Sequence, residues 1–103
     1  MELFAALADP TRRHIVELLA GGEQSAGDLA RRFTLTQPAV SQHLRVLRDA
    51  GLVRARHDAQ RRMYSIDGRG LARIDAWLSR YRTFWTTHLD ALGRALQDEG
   101  EKS

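Results

Sequence analysis

The 103-residue chain contains no cysteine. Disulfide bonds, thiolate metal ligands and cysteine nucleophiles are therefore excluded, and nothing in the composition indicates an oxidising compartment. Long apolar runs are also missing: no stretch approaches the length of a membrane span, and the start, MELFAALADPTRR, lacks the apolar run of a signal peptide. These absences predict a soluble, cytoplasmic protein without a membrane partner.

Enzymatic signatures are absent as well. No phosphate-binding loop, paired metal ligands or nucleophile and base pair can be named, and Ser41 and His43 would point about 160° apart on a helix. A chain of this length has little area to spare for a deep substrate cavity. The sequence therefore predicts a binding module with no catalytic residues and no cofactor.

Acidic residues are scarce in the middle third of the chain. Residues 31–62 hold eight arginines against two aspartates, a net charge of +6, which leaves −3 for the rest. The arginines are Arg31, Arg32, Arg45, Arg48, Arg54, Arg56, Arg61 and Arg62. This basic region is the candidate surface for an anionic partner.

Capping signals divide the first half of the chain into short helices. Asp9 followed by Pro10 predicts a helix start, Ser25 with Asp28 fits a capping box, and Thr36 caps a third helix with Pro38 in its first turn. Before them, Leu3, Phe4 and Leu7 predict a short amphipathic helix whose apolar face needs a partner. The tight connection at residues 34–36 predicts a helix-turn-helix over residues 25–51.

The helix that begins after Thr36 has two different faces. Val40, Leu44 and Leu47 share one narrow arc, whereas the opposite arc carries Pro38, Ser41, Gln42 and Arg45. The aliphatic arc is a core face, and the polar arc is either a solvated surface or a face that contacts a polar partner. His43 lies on the flank, and we interpret it as a packed, hydrogen-bonded structural histidine.

After Gly51 the hydrophobic period changes to that of strands. The runs LVRARHD and RRMYSID, separated by Ala59 and Gln60, predict a β-hairpin, or wing, over residues 52–67. The tip lacks the Asn-Gly or Asp-Gly pair that favours a tight turn. Tyr64 and Ile66 share a strand face and are expected to anchor the wing to the core.

The remaining pattern is helical and regular. Leu71, Leu78, Trp85 and Leu92 recur every seven residues, which predicts one dimerisation helix over residues 71–97, roughly 40 Å long. Such a stripe exceeds the small core, so one edge is expected to pack on a second subunit. The predicted dimer interface comprises Leu3, Leu7, Leu71, Ile74, Leu78, Tyr81, Trp85, His88 and Leu92.

The segments ALADPTRRHIVELL, SAGDLARRF and TQPAVSQHLRVLRDAGLVRARHDAQRRMYSI, in this order and spacing, resemble the bacterial ArsR/SmtB-type winged helix-turn-helix repressors. The likeness covers residues 5–66 closely and the tail from Leu71 more loosely. YRTFWTTHLDALGRAL is similar to the branch of the family that binds no metal. The resemblance implies a mainly helical fold with a small β-hairpin wing, one winged helix-turn-helix domain over residues 1–103 that dimerises through its N- and C-terminal helices.

The resemblance also implies a function: a homodimeric repressor or autorepressor that binds a palindromic promoter operator near the bacterial nucleoid. The family's thiolate metal site would fall on Ser25 and Gly27, and its site on the last helix on Asp75, Trp77 and His88. These residues supply too few ligands, so no metal is expected.

In helix-turn-helix proteins, the start of the second helix enters the major groove of double-stranded DNA. Base contacts are therefore expected from Gln37, Ser41 and Gln42, because glutamine pairs with adenine and serine with several bases. Arg45 and Arg48 are expected on phosphates, although Arg45 is within reach of a guanine. The wing arginines Arg54, Arg56, Arg61 and Arg62 are expected on phosphates or in the minor groove.

Two alternatives stay open. The aromatic residues Trp77, Tyr81, Phe84 and Trp85 fit either a pocket for a small-molecule effector or the dimer core of a repressor without a ligand. A winged helix that binds protein and not specific DNA is the competing function, since folds are reused in this way.

Overall fold

The structure is a computed structural model that describes residues 2–101, with side chains described through Gln97. The helices are α1 (Glu2–Leu7), α2 (Pro10–Ala20), α3 (Ala26–Arg32), α4 (Gln37–Asp49), α5 (Gly68–Ser79) and α6 (Arg82–Glu101), and the strands are β1 (Gln24–Ser25), β2 (Val53–Asp58) and β3 (Arg61–Ile66). The chain divides between Ala72 and Arg73 into two units. None of the described helices is long and apolar enough to cross a membrane.

Side-chain caps begin α2, α3 and α4 where the sequence predicts them. Asp9 Oδ1 accepts a hydrogen bond from the Arg12 amide at 3.0 Å, and Thr36 Oγ1 accepts from the Ala39 amide at 3.2 Å. At α3 the capping box is complete, because Ser25 and Asp28 each accept from the other's backbone amide. Each cap satisfies amide groups that have no partner inside the helix. The three predicted helix starts are confirmed.

The core of the first unit lies against the aliphatic face of α4. Val40, Leu44 and Leu47 are fully buried, as predicted, and the other large fully buried side chains come from α2, α3, the residue before β2 and the start of β2: Ile15, Leu29, Leu52 and Val53. Burying each such side chain contributes about 1.5–3 kcal/mol. His43 is half-buried, but its buried Nδ1 has no hydrogen-bond partner in the described part of the chain, so our expectation of a hydrogen-bonded imidazole is wrong at that atom.

Helix α1 finds a partner for its apolar face within its own unit. Leu3 and Ala6 are buried, and α1 contacts α2 and α4. Arg12 Nε donates to the Ala6 carbonyl at 2.7 Å, which ties the end of α1 to α2. Of the two leucines that the sequence assigns to a dimer interface, Leu3 is therefore core and Leu7 is half-buried.

The wing is confirmed as an antiparallel hairpin. Strand β2 pairs with β3 from Val53 opposite Ile66 to Asp58 opposite Arg61. Ala59 turns the tip with a φ of 56°, a left-handed conformation that non-glycine residues seldom adopt. Tyr64 is buried and Ile66 is half-buried, which anchors the wing.

A third strand, β1, was not predicted. It adds to the free edge of β3, with Gln24 opposite Tyr64 and Ser25 opposite Met63, and gives the sheet order β1-β3-β2. Because β1 has only two residues, it carries no alternation that periodicity could detect. Its consequence is positional, since it brings the start of α3 against the wing.

The prediction of one helix over residues 71–97 is wrong: α5 ends at Ser79 and α6 begins at Arg82. At the break, the Arg80 and Tyr81 amides donate to the Trp77 and Leu78 carbonyls, three residues back. Ser79 Oγ donates to the Asp75 carbonyl at 2.8 Å, which competes with the helical pattern there. The seven-residue spacing of apolar side chains continues through this break, which is why periodicity did not reveal it.

Candidate nucleic-acid interface

A groove of about 1040 Å³ separates the helix-turn-helix from the wing. One wall is α4, the other is the tip and strand β3 of the wing, and the start of α3 closes one end. The groove is lined by Ser25, Ala26, Gly27, Asp28, Arg31, Gln37, Ser41, Arg45, Arg48, Asp49, Gln60, Arg61, Arg62 and Tyr64. Five arginines face two aspartates there, so the groove has a net positive charge.

The polar face of α4 forms the first wall. Gln37, Ser41, Arg45 and Arg48 follow one another at steps of four, four and three residues, so they share one side of the helix. All four are exposed, because the opposite face is held in the core by Val40, Leu44 and Leu47. Gln42, which the sequence places with them, is exposed on α4 but does not line the groove.

The four wing arginines divide into two pairs. Arg61 and Arg62 line the groove, whereas Arg54 and Arg56 do not. The Arg62 guanidinium lies 5.8 Å from the centre of the Tyr64 ring, a cation–π distance that keeps it over the buried base of the wing. Position along the hairpin separates the pairs, because Arg61 and Arg62 follow the tip on β3, whereas Arg54 and Arg56 lie further along β2.

Arg56 is held by an acid outside the groove. Its Nε and Nη2 donate to the two carboxylate oxygens of Glu23 at 2.8 and 2.6 Å, a bidentate pair. This hydrogen bonding lowers the pKa of Glu23 below its ordinary value and raises the pKa of Arg56. The charge of the Arg56 guanidinium is thus paired with the Glu23 carboxylate in this structure.

Arg61 is held by an acid inside the groove. Its Nη2 donates to Asp28 Oδ2 at 2.8 Å and to Ser25 Oγ at 3.1 Å, and Arg31 donates to Asp28 Oδ1. Hydrogen bonds from Ser25, and then the charges of Arg61 and Arg31, lower the pKa of Asp28. Sequence reasoning identified Asp28 only as a helix cap, because its partner Arg61 lies 33 residues away.

The second unit carries most of the predicted dimer interface. Large apolar side chains on α6 are between 41 and 65% exposed: Phe84, Trp85, Leu89, Leu92 and Leu96. Tyr81 is 46% exposed, and the centre of its ring lies 4.9 Å from that of Trp77 in the same unit, with the two rings tilted by 50°. Ile74 and Leu78 are half-buried, His88 is exposed beside Phe84, and Leu71, which precedes this unit, is exposed.

Neither of the positions at which the family's metal sites would fall carries a suitable ligand set. Ser25 Oγ is engaged with Asp28 and Arg61, and Gly27 has no side chain to offer. Asp75 accepts a hydrogen bond from Arg82 at 3.2 Å. Among the side chains that the structure describes, no three histidine, aspartate or glutamate residues cluster closely enough to bind a metal ion. The residues at these positions therefore do not fit the metal sites that occur in other members of the family that the sequence resembles.

Comparison with known proteins identifies the family of this chain. The family model for the bacterial regulatory proteins of the arsR family matches residues 9–55. The HTH-type transcriptional regulator Rv2034 of Mycobacterium tuberculosis is 47% identical over 96 residues, which are 93% of this chain and 87% of that protein. The chain belongs to the ArsR family.

Two further comparisons support the assignment. The transcriptional repressor SdpR of Bacillus subtilis is 35% identical over 79 residues, which are 77% of this chain and 88% of SdpR. The solution structure of a homodimeric winged helix-turn-helix DNA-binding domain, Mb0332 of Mycobacterium bovis, superposes with a TM-score of 0.66 at 32% identity, over 80% of this chain and 76% of that one. This ArsR-family chain is a DNA-binding transcriptional regulator and not an enzyme.

Proposed function

We propose that this ArsR-family regulator is a homodimeric repressor that binds an imperfect palindrome in its own or a neighbouring promoter. The observation that carries the proposal is the groove between α4 and the wing, where uncharged polar side chains and arginines line the same surface. Base edges require the first kind of group, and phosphates require the second. A surface that contacts only water does not require uncharged polar side chains and arginines to lie side by side.

In this proposal the start of α4 enters the major groove. Gln37, Ser41 and Gln42 contact bases, since all three are exposed near the N-terminal half of α4. Arg45 and Arg48, further along the helix, bind phosphates. Arg61 and Arg62 bind the backbone or enter the minor groove next to the site of base contact.

Arg54 and Arg56 have a smaller part than the sequence predicts. Both lie outside the groove, and Arg56 already forms a bidentate ion pair with Glu23. Their charges therefore contribute to the positive potential of the wing without direct contact to the DNA backbone.

A second copy of the chain covers the apolar residues of α6 in the proposed dimer. Trp85, Leu89, Leu92 and Leu96 follow one another at steps of four, three and four residues, so they form one continuous stripe. Exposed apolar stripes of this length are typical of interfaces between subunits. Two copies would then present two α4 helices to half-sites about 34–36 Å apart.

We also propose that this chain belongs to the branch of the family that binds no metal. The support is the donor set: Ser25 and Gly27 supply no thiolate, and Trp77 supplies no ligand beside Asp75. If an effector exists, the aromatic side chains of the second unit are the candidates to contact it.

The test is a salt titration of binding to DNA from upstream of the protein's own gene and to a scrambled duplex, with the mass of the complex measured in the same buffer. We expect a dimer that prefers the upstream DNA. Gln42→Ala should remove this preference, whereas Arg62→Ala should weaken binding to both duplexes and lower the salt slope by about 1.

Arg13→Ala is the matched control for Arg62→Ala, because it removes the same charge from an exposed position outside the groove. If Arg13→Ala and Arg62→Ala weaken binding equally, the groove is not the DNA site. Equal losses on both duplexes from Gln42→Ala would contradict its role in base contact.

A further inference from the structure

An acid lies at the α3 end of the positive groove, between two of its arginines. Asp28 lines the groove with Arg31 and Arg61, and its carboxylate binds both of them. The Asp28 side chain is only 28% exposed, whereas those of Arg31 and Arg61 are 75 and 59% exposed. The two guanidinium groups thus remain open to an incoming anion, and the carboxylate between them is largely covered.

Hydrogen bonds to Ser25 hold the Asp28 side chain in place. Its side chain accepts from the Ser25 amide at 3.3 Å, and its own amide donates to Ser25 Oγ at 3.1 Å, so the capping box holds the carboxylate at the first turn of α3. Its lowered pKa keeps it ionised at neutral pH. Arg61, in contrast, extends from the wing on a long and flexible side chain.

A DNA phosphate in this groove requires the donors that Asp28 now engages. Arginine binds carboxylates and phosphates with the same planar set of N–H groups, so one guanidinium cannot satisfy both anions fully. The carboxylate also repels the phosphate directly. The Asp28 carboxylate in the groove therefore opposes the binding of DNA there.

We propose that Asp28 sets the DNA affinity of this regulator by competing with DNA phosphate for Arg61 and Arg31. The inference rests on the proposed function, because it assumes that DNA lies in the groove. In the free protein the Arg61 side chain forms an ion pair with Asp28. DNA binding exchanges this internal ion pair for a contact between Arg61 and a phosphate. The affinity is accordingly lower than the number of arginines in the groove would allow.

The chain offers a matched control in the pair of Glu23 and Arg56. Glu23 is 27% exposed and Arg56 56%, close to the values for Asp28 and Arg61, and this pair also joins the segment before α3 to the wing. It differs in one respect, since neither residue lines the groove. Comparing Asp28→Asn with Glu23→Gln therefore separates local competition from the general effect of removing one negative charge.

We expect Asp28→Asn to tighten binding to both the upstream and the scrambled duplex by about fivefold, the change that corresponds to breaking one of the stronger exposed ion pairs. Asparagine keeps an oxygen that can accept from the Ser25 amide, so the cap is retained. The slope of log affinity against log salt should steepen by up to about 0.9, because the arginines no longer leave behind a carboxylate that takes up a cation when they bind phosphate. Glu23→Gln should change the affinity by less than twofold and leave the slope as it is.

A second comparison needs no change at Asp28. In the otherwise native chain, Arg61→Gln should weaken DNA binding less than Arg62→Gln, because Arg61 must first leave its carboxylate and Arg62 forms no ion pair within the described residues. In the Asp28→Asn background, Arg61→Gln should cost about as much as Arg62→Gln. Thermal unfolding of each variant checks that the fold is intact.

The outcomes separate the two hypotheses. If Asp28→Asn weakens binding, or tightens it no more than Glu23→Gln does, competition is refuted while the groove remains the DNA site. Equal losses from Arg61→Gln and Arg62→Gln in the native chain would also refute it. If neither arginine substitution affects binding in either background, the proposed function itself fails.

Discussion

Gly70 is the position where the structure allows the sharpest test of packing. It is buried in the first turns of α5, directly over the turn that follows α4. A Cβ atom at residue 70 would lie 2.2 Å from the Gly51 carbonyl oxygen and 3.1 Å from the Leu52 Cα. Gly51 itself has a φ of 81°, and the turn is held in place by hydrogen bonds from the Gly51 and Leu52 amides to the Arg48 and Leu47 carbonyls, each 3.0 Å long.

Gly70→Ala should therefore destabilise the protein. The clash is with backbone atoms and not with the end of a flexible side chain, which places the cost at the upper end for overpacking, about 3 kcal/mol. The better helix propensity of alanine returns at most about 1 kcal/mol. A net loss of about 2 kcal/mol should lower the melting temperature by roughly 8–16 °C in a domain of this size.

The assay is thermal and urea unfolding followed by circular dichroism, with Gly68→Ala as the control. Residue 68 begins the same helix, and a Cβ there would meet no atom within 4 Å. Gly68→Ala should leave the melting temperature unchanged or raise it slightly, by about 0.5 kcal/mol of stability. If the two variants melt within about 2 °C of each other, the close approach of α5 to the turn after α4 is refuted.

Two further predictions concern stability. Ala59→Gly should stabilise the protein by about 0.5–1 kcal/mol, because the φ of 56° at the wing tip costs an L-residue more than glycine loses in chain entropy. The control is Ala55→Gly, within β2, which should destabilise the protein. A lower melting temperature for both variants would contradict the strain argument. Stability should also fall in acid. Folding lowers the pKa of four carboxylates: Asp9, Glu23, Asp28 and Asp67. Such groups stabilise the protein above their unfolded-state pKa and lose this effect as the pH falls through the folded-state pKa, so the urea concentration at the unfolding midpoint should decrease once the pH is below about 4. A urea midpoint that stays constant from pH 7 to pH 3 would refute the effect.

Local features of the fold were readable from the sequence. The caps at Asp9, Ser25 and Thr36 involve residues three positions apart, so the chemistry that starts each helix is contained in a few neighbouring letters. The same holds for the aliphatic arc of α4 and for the hairpin, whose turn at Ala59 and Gln60 lies where the two strand patterns meet.

Features that depend on competing backbone interactions were not readable. The break between α5 and α6 involves no glycine or proline, and three-residue hydrogen bonds and the Ser79 hydroxyl end the helix while the apolar spacing continues. Strand β1 is two residues long and exists because the edge of β3 offers it partners. In both cases the contacts that determine the structure produce no repeating pattern of apolar residues in the sequence.

The sequence by itself determined the helix-turn-helix, the wing and the polar face of α4, because periodicity and capping act over a few residues. It also identified the basic region, since charge can be counted without knowing its position. Only the tertiary structure decided which arginines share a groove and which are neutralised. Arg56 meets Glu23, and Arg61 meets Asp28, each across 33 residues of chain, and such distant pairs form only when β1 and α3 pack against the wing.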